Sequence, residues 1–245
     1  MLKTKKAKAK RQNHLIDEKT PFIVKEAYRS IRTNMIHTLK QNGSKFILIT
    51  SSHPREGKTT SAVNIAMTFA QGMNKILIVD CDLRKPRIHK LFGVENEKGF
   101  SSIVEDGMEL EQAIVKSQHK NLDILPCGPH PENPVELLSS EAMRSLFSKA
   151  AEKYDYIFID TPPVNVVTDA VLIASLLLAG MFIVVQQSVT DHRALKELLE
   201  KLEIISVKPL GFILNNTDEA KRKYKYYRKY GQQYGAYEKP HHEPK

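Results

Sequence analysis

The most constraining stretch of this chain is residues 51–60, Ser-Ser-His-Pro-Arg-Glu-Gly-Lys-Thr-Thr, because of what stands on either side. A β-type apolar run, Phe46 to Thr50, precedes it, and a helical apolar pattern, Ser61 to Ala70, follows. A strand that turns through Gly-Lys-Thr into a helix is the setting of a phosphate-binding loop. Such a loop aims several free N–H groups at one point, and the helix dipole adds positive potential there. Lys58 is then placed to neutralise the outer phosphates and the Thr59 hydroxyl to ligate Mg²⁺. The usual first glycine is replaced by Ser52, so the loop alone also fits an ordinary strand-to-helix turn.

Two further strands decide between these readings. Residues 75–82, Lys-Ile-Leu-Ile-Val-Asp-Cys-Asp, form an apolar run without alternation, which suits a parallel strand buried on both faces. Its carboxylates Asp80 and Asp82 are two residues apart and face the same side of a strand end, where open α/β sheets place ligands. Positive charge follows at Arg84, Lys85 and Arg87. A second run, residues 156–160, delivers Asp160 before Thr-Pro-Pro. One such aspartate is readily a cap or turn residue. Two aspartate-ended strands beside a phosphate loop point to a nucleotide site.

The rest of the chain alternates in the same way. Residues 122–125 read as a short strand, and 126–134, with four prolines and Gly128, as a rigid loop. Helices follow at 135–138, 141–153 and 168–178, then a strand at 181–186, an amphipathic helix at 191–204 and a last strand at 209–215. Strand-helix alternation predicts an α/β fold with a doubly wound parallel sheet flanked by helices. The 245 residues, 41% apolar, suffice for one such domain. The longest apolar run, Val171 to Val185, is too short for a membrane span and reads as a buried helix passing into a buried strand. No secretory signal is apparent, and Cys81 and Cys127, far apart and without His partners, suggest neither a disulfide nor a metal site.

The net charge of +9 is carried by the ends of the chain. Residues 1–19 hold seven Lys/Arg against two acids, residues 217–245 hold eight against four, and the middle is neutral. A basic nucleic-acid groove on the folded domain is therefore not indicated. The tails are either simply solvated or drawn to an anionic membrane face. Residues 1–20 have the composition of a disordered basic segment. Ile23 to Leu39 reads as an amphipathic helix with Val24, Ala27, Ile31, Met35 and Leu39 near helical spacing. On it Glu26, Arg29 and Arg32 recur every three residues, as solvated pairs or as a face for a like helix on a neighbour.

The segment after Asn215 gathers six of the nine tyrosines, Tyr224, Tyr226, Tyr227, Tyr230, Tyr234 and Tyr237, among Lys and Arg. No aliphatic residues accompany them, so they cannot build a core. Stacking on single-stranded nucleic acid is one use. Presentation of phenols for phosphorylation is another.

Taken together, these residues closely resemble the bacterial tyrosine kinases of capsular and exopolysaccharide synthesis, in their stand-alone cytoplasmic form. The resemblance rests on the Glu26/Arg29/Arg32 helix with Arg32-Thr33-Asn34, the loop ending Gly57-Lys58-Thr59, residues 78–86, Leu125-Pro-Cys-Gly128-Pro, Ile159-Asp160-Thr-Pro-Pro163 and the tyrosine cluster. It implies a P-loop kinase domain over 21–216, with an oligomerisation helix at 21–42, and a flexible Tyr-rich tail at 217–245. It further implies ring-like homo-oligomers joined through the Glu26/Arg29/Arg32 helix, tail tyrosines phosphorylated in trans, and a membrane-anchored activator, the polysaccharide co-polymerase. The chain would then sit peripherally at the inner face of the cell membrane, with proteins of sugar metabolism as further substrates.

The mechanism implied uses ATP and Mg²⁺. Backbone N–H groups of Arg55, Glu56, Gly57, Lys58, Thr59 and Thr60 cradle phosphate, Lys58 bridges to the γ-phosphate, and Thr59, Asp82 and Asp160 hold the metal. Asp80 accepts the tyrosine proton, or Asp80 and Asp82 exchange these roles. Asn215 resembles a base-edge reader of related nucleotide folds and is otherwise a turn residue. Arg55 stands where the family usually has glycine, so a left-handed backbone there would be strained. The related MinD/ParA-like positioning ATPases carry Lys-Gly-Gly before the final Gly-Lys; His53-Pro54-Arg55 stands there instead. A positioning ATPase without kinase activity is the alternative.

Overall fold

The computed structural model describes residues 15–217. Its first half runs α1 (Phe22–Asn42), β1 (Phe46–Ser51), α2 (Lys58–Gln71), β2 (Ile76–Asp80), α3 (Ile88–Phe92), α4 (Phe100–Asp106), α5 (Leu110–Ala113) and β3 (Val115–Lys116). The second runs β4 (Leu122–Leu125), α6 (Pro134–Ser139), α7 (Glu141–Lys153), β5 (Tyr156–Asp160), α8 (Asp169–Leu177), β6 (Gly180–Gln186), α9 (His192–Ile204) and β7 (Gly211–Asn215). The strands form one sheet in the order β3-β4-β2-β5-β1-β6-β7. Six are parallel; β3 alone pairs antiparallel, at the edge.

The unbroken apolar runs become legible once both faces are seen to be covered. Ile47, Ile49, Ile76, Ile78 and Phe158 pack with α2 and the C-terminal half of α1. Their neighbours Leu48, Leu77, Val79, Ile157 and Ile159 pack on the opposite face with α4 to α9. Period-two geometry deals successive residues to two cores, and both demand apolar side chains. On the α2 side, Phe69 meets the rings of Tyr156 and Phe158 edge-on, with centroids 5.3 and 5.0 Å apart. Helix starts are fixed locally: Ser140 caps α7 by accepting from Met143 N–H, and Asp191 caps α9 by accepting from Ala194 N–H.

Parallel register brings the functional strand ends level. Asp160 lies opposite Asp80 on one side and Ile49 on the other. The phosphate loop, leaving β1 next to β5, therefore opens beside both aspartate-bearing ends, at the carboxyl edge where such sheets hold ligands.

Several expectations need adjusting. Of the predicted apolar stripe on α1, Met35 and Leu39 are buried, whereas Val24 and Ala27 are exposed. Residues 15–20, expected to be disordered, are held in place. Leu15 and Ile16 pack against the α1–α2 core and Ile16 N–H donates to Asn64 Oδ1. Two adjacent apolar side chains suffice to anchor an otherwise polar stretch. The region 88–116, too broken in pattern for a sequence reading, supplies α3, α4, α5 and β3. The run Val171 to Val185 divides between the end of α8 and β6 as expected. Among the described residues no helix is long and apolar enough to cross a membrane.

Candidate nucleotide and phosphoryl-transfer site

The loop between β1 and α2 owes its shape to two left-handed residues, Arg55 at φ 73° and Gly57 at φ 92°. Glycine adopts that conformation freely, but arginine at such a φ costs about 1–3 kcal/mol unless its surroundings enforce it. The enforcement is visible. Ser51 Oγ donates to His53 O (2.9 Å), His53 N–H donates to Glu56 Oε2 (3.0 Å), and Asn215 Nδ2 donates to Glu56 O (3.0 Å). The Arg55 side chain itself is exposed. Arg55 thus keeps the left-handed backbone that glycine favours, at the cost in strain that the sequence led us to expect for an arginine there.

Lys58 begins α2 and turns inward, 8% exposed. Its Nζ lies 2.8 Å from Asp82 Oδ2, 3.6 Å from Asp160 Oδ1 and 3.4 Å from Thr59 Oγ1. Burial works against its charge, but Asp160, Asp82 and Asp80 outweigh that and hold its pKa above the ordinary lysine value. Lys58, Thr59, Asp82 and Asp160 are therefore one cluster, and Thr60, one residue on, is only half-buried. Neither oxygen of the fully buried Asp160 meets a hydrogen-bond donor. Burial raises its pKa, while Lys58 and Thr59 pull the other way.

Asp80 is held more tightly than a sequence reading could tell. Its Oδ2 accepts from Arg87 N–H and Ile88 N–H, both at 2.9 Å, and its Oδ1 from Asp82 N–H at 3.3 Å. Asp82 Oδ1 accepts from Lys85 N–H (3.0 Å), so residues 82–88 wrap around the two carboxylates. Fully buried, Asp80 is pushed up to about 7, by desolvation first and by Asp160 second. In this arrangement no face of Asp80 is open to an incoming phenol; it would become available only if the 85–88 backbone withdrew.

The surrounding loops are tied to this cluster. Arg84 Nε and Nη2 reach Asp169 Oδ2 and Oδ1 at 3.2 and 3.4 Å, joining the loop after β2 to the first turn of α8. Thr161 Oγ1 donates to Ile49 O (3.0 Å), and Thr50 Oγ1 donates to Pro162 O (2.9 Å), which fastens the Thr-Pro-Pro turn to β1. Cys81 and Cys127 are free thiols within the core.

The residues fit a hard divalent cation. Two carboxylates, of Asp82 and Asp160, flank a single ammonium, and Asp160 offers two buried oxygens that accept no hydrogen bond, near the Thr59 hydroxyl. Mg²⁺ bound there would supply charge neutralisation to the phosphates of a nucleotide.

Other predicted residues lie elsewhere. Glu26 and Arg29 pair at 2.5 Å on the exposed side of α1. Arg32 does not line up with them; its Nη1 donates to Thr68 O of α2 at 2.9 Å, a bond within the chain. The six tail tyrosines lie outside the described residues. Sequence reasoning missed Thr190, whose hydroxyl donates to Glu56 Oε1 at 2.5 Å, and Asp169. Neither carries a local signal, because each acquires its role from a partner more than eighty residues away.

Comparison with known proteins gives the family and the fold. Residues 44–212 match the family described as the AAA domain. The chain is 39% identical to the tyrosine-protein kinase YwqD of Bacillus subtilis strain 168 over 203 residues, 82% of this chain and 85% of that one. Its fold is similar to the kinase domain of the Escherichia coli tyrosine kinase ETK, with a TM-score of 0.74 and 31% identity over 78% of this chain and 74% of that one. It is likewise similar to the crystal structure of the chimerical protein CapA2B2, with a TM-score of 0.72 and 37% identity over 78% and 83% of the two chains.

Proposed function

This chain belongs to the bacterial tyrosine kinases and is a protein-tyrosine kinase, and from that premise we propose that it phosphorylates the tyrosine cluster of its own tail in trans, within a ring-like homo-oligomer. The observation that carries the catalytic part is Lys58 held between Asp82 and Asp160 at the mouth of a phosphate loop. In the absence of nucleotide its ammonium is occupied by carboxylates. Phosphate oxygens of ATP would satisfy it instead, and Asp82 and Asp160, so released, would hold Mg²⁺ together with Thr59. Backbone N–H groups from Arg55 to Thr60 cradle the phosphates in this reading, and Asn215, whose Nδ2 donates to Glu56 O, would face the base.

The transfer joins a tyrosine oxygen to the γ-phosphorus as the bond to the β,γ-bridging oxygen breaks, leaving ADP. The phenolic proton passes to an aspartate. Asp80, with a pKa near 7, suits that task at neutral pH once residues 85–88 move aside. Asp82 serves if they do not. Proton loss is late in a loose phosphoryl transfer, so placement matters more than basicity.

Tyr224, Tyr226, Tyr227, Tyr230, Tyr234 and Tyr237 are the acceptors in this reading, and the Glu26–Arg29 face of α1 joins neighbouring copies. Exposed Phe22, one turn before Glu26 on the same face, supports an intersubunit contact. A membrane-anchored activator would hold the ring at the inner membrane face, where the kinase regulates capsular or extracellular polysaccharide export. Purified chain with γ-labelled ATP and Mg²⁺ tests the reading. Label on tyrosine that disappears with either Lys58→Met or the six Tyr→Phe changes is expected; free phosphate with unlabelled protein would instead make it a positioning ATPase.

A further inference from the structure

A buried carboxylate inside a loop that receives a polyanion is electrostatically adverse, and Glu56 is such a group. It is 1% exposed, yet Lys58, the adjacent cation, pairs with Asp82 and Asp160 rather than with it. Its two oxygens are used in another way. Oε2 accepts from His53 N–H at 3.0 Å, closing the turn that holds Arg55 in its left-handed conformation. Oε1 accepts from the Thr190 hydroxyl at 2.5 Å. Thr190 Oγ1 in turn accepts from Gln186 N–H at 2.9 Å, where β6 ends. The carbonyl of the same glutamate accepts from Asn215 Nδ2 at 3.0 Å, where β7 ends, and Asn215 O accepts from Gln187 N–H at 3.1 Å. A ring of hydrogen bonds thus runs from the phosphate loop through Glu56 to the ends of two strands and back.

We infer that the Glu56 side chain is a positioning residue for nucleotide binding, which locks the phosphate loop to the β6 and β7 ends so that the phosphate and base sides of the site are set before ATP arrives. This rests on the reading that residues 55–59 hold the nucleotide. Preorganisation of this kind acts on affinity, because it removes ordering that binding would otherwise have to supply. The carboxylate is suited to it, since one group accepts a backbone N–H and a hydroxyl at once and hydrogen bonds to charged acceptors are the stronger ones. Glutamine can reproduce the geometry. Its oxygen would accept from His53 N–H while its amide donates to Thr190 Oγ1, which already accepts from Gln186 N–H and would accept this second bond in place of donating.

The full chain is titrated with MgADP by calorimetry, and KM for ATP is measured separately from kcat by tyrosine labelling. Glu56→Ala and Thr190→Val should each weaken MgADP, the former by about tenfold, the loss of a charged hydrogen bond. KM should rise with kcat nearly kept. Glu56→Gln should restore affinity close to that of the unchanged chain, and the double variant Glu56→Ala/Thr190→Val should be no weaker than Glu56→Ala alone. Variants that melt earlier but bind MgADP unchanged, or additive losses in the double variant, would overturn the inference. Should Glu56→Ala not fold, Thr190→Val alone decides it by the same two criteria. Failure of the unaltered chain to bind MgADP, or undiminished binding by Lys58→Met, would instead strike the phosphate-loop reading.

Discussion

Asn215 Nδ2 lies 2.2 Å from where a β-carbon on Gly57 would stand, so the last strand of the sheet occupies the space that a side chain in the phosphate loop would need. The absence of a side chain at Gly57 is what lets β7 reach the loop and donate to Glu56 O. Its φ of 92° adds a second reason for glycine.

Gly57→Ala should therefore fail twice, by collision with Asn215 and by left-handed strain of about 1–3 kcal/mol. Loss of measurable MgADP binding, with a lowered melting temperature, is the expected result. Gly57→Ala/Asn215→Ala should recover part of the stability by removing the collision while keeping the strain.

Lys58→Met should abolish tyrosine labelling, as removal of a transition-state charge partner typically costs 10²-fold or more, on the order of 3 kcal/mol. Stability without nucleotide is the more telling readout. Removing the ammonium leaves Asp82 and Asp160 buried without their partner, a loss of about 3–5 kcal/mol where the charge is kept. Urea unfolding of Lys58→Met should show the larger deficit at high pH and the smaller at low pH, where Asp160 takes up a proton.

The pH dependence of the unliganded chain follows from the raised pKa values of Asp80, at about 7, and Asp160. Both carboxyls bind protons more readily folded than unfolded. Their contribution to stability is complete below the unfolded carboxylate value and is lost as pH rises through the folded one. Between pH 4 and about 7, unfolding free energy should fall by up to about 1.4 kcal/mol per pH unit on account of Asp80, and Asp160 acts in the same direction. Asp80→Asn should flatten that slope, and millimolar Mg²⁺ with ADP should restore stability above neutrality. A profile that climbs steadily from pH 5 to 8 would contradict the assignment.

Arg84→Ala removes both donors from the fully buried Asp169. Because Arg84 is itself partly open to water, the expected loss is about 1–2 kcal/mol rather than the full value for a buried pair. Arg84→Lys should recover less than half, since a point charge does not reproduce the two-pronged contact. Chemical denaturation of the three proteins side by side checks this.

Charge reversal at Arg29 and at Arg32 should give different outcomes. Arg29→Glu alters an exposed pair and should shrink the assembly, seen by light scattering, with little change in monomer stability. Arg32→Glu breaks a bond to Thr68 O and should lower the melting temperature as well. An unchanged mass for Arg29→Glu would leave the helix face as simply solvated.

The sheet was readable in the chain because its strands are long apolar runs whose ends are marked by aspartate or by Gly-Lys-Thr. Residues 156–160, 122–125 and 141–153 form the very elements that their patterns suggest. Local chemistry likewise singled out Lys58, Thr59, Asp82 and Asp160, which the fold brings into one cluster. What stayed hidden depends on partners distant in sequence. Arg32 looks like its neighbours Glu26 and Arg29 at helical spacing, and only the approach of α2 turns it inward. Asp80 and Asp82 look equivalent, and only the return of residues 85–88 buries one under backbone N–H groups. Short pieces such as α5 and β3 are set by tertiary contacts more than by any periodicity of their own.

Twelve of the fourteen residues of α2 are buried, all but Thr60 and Gln71. A helix so enclosed resembles a piston in a filled cylinder, because close-packed interiors scarcely compress. Whatever small shift ATP imposes at Lys58 and Thr59 cannot be absorbed by surrounding water and has to be shared with the walls. One of those walls is α1, bolted to α2 through Arg32 and Thr68 and through Tyr28 and Asn64. The outer side of that wall carries Glu26 and Arg29, so a displacement begun at Lys58 would be handed on to the helix that bears them.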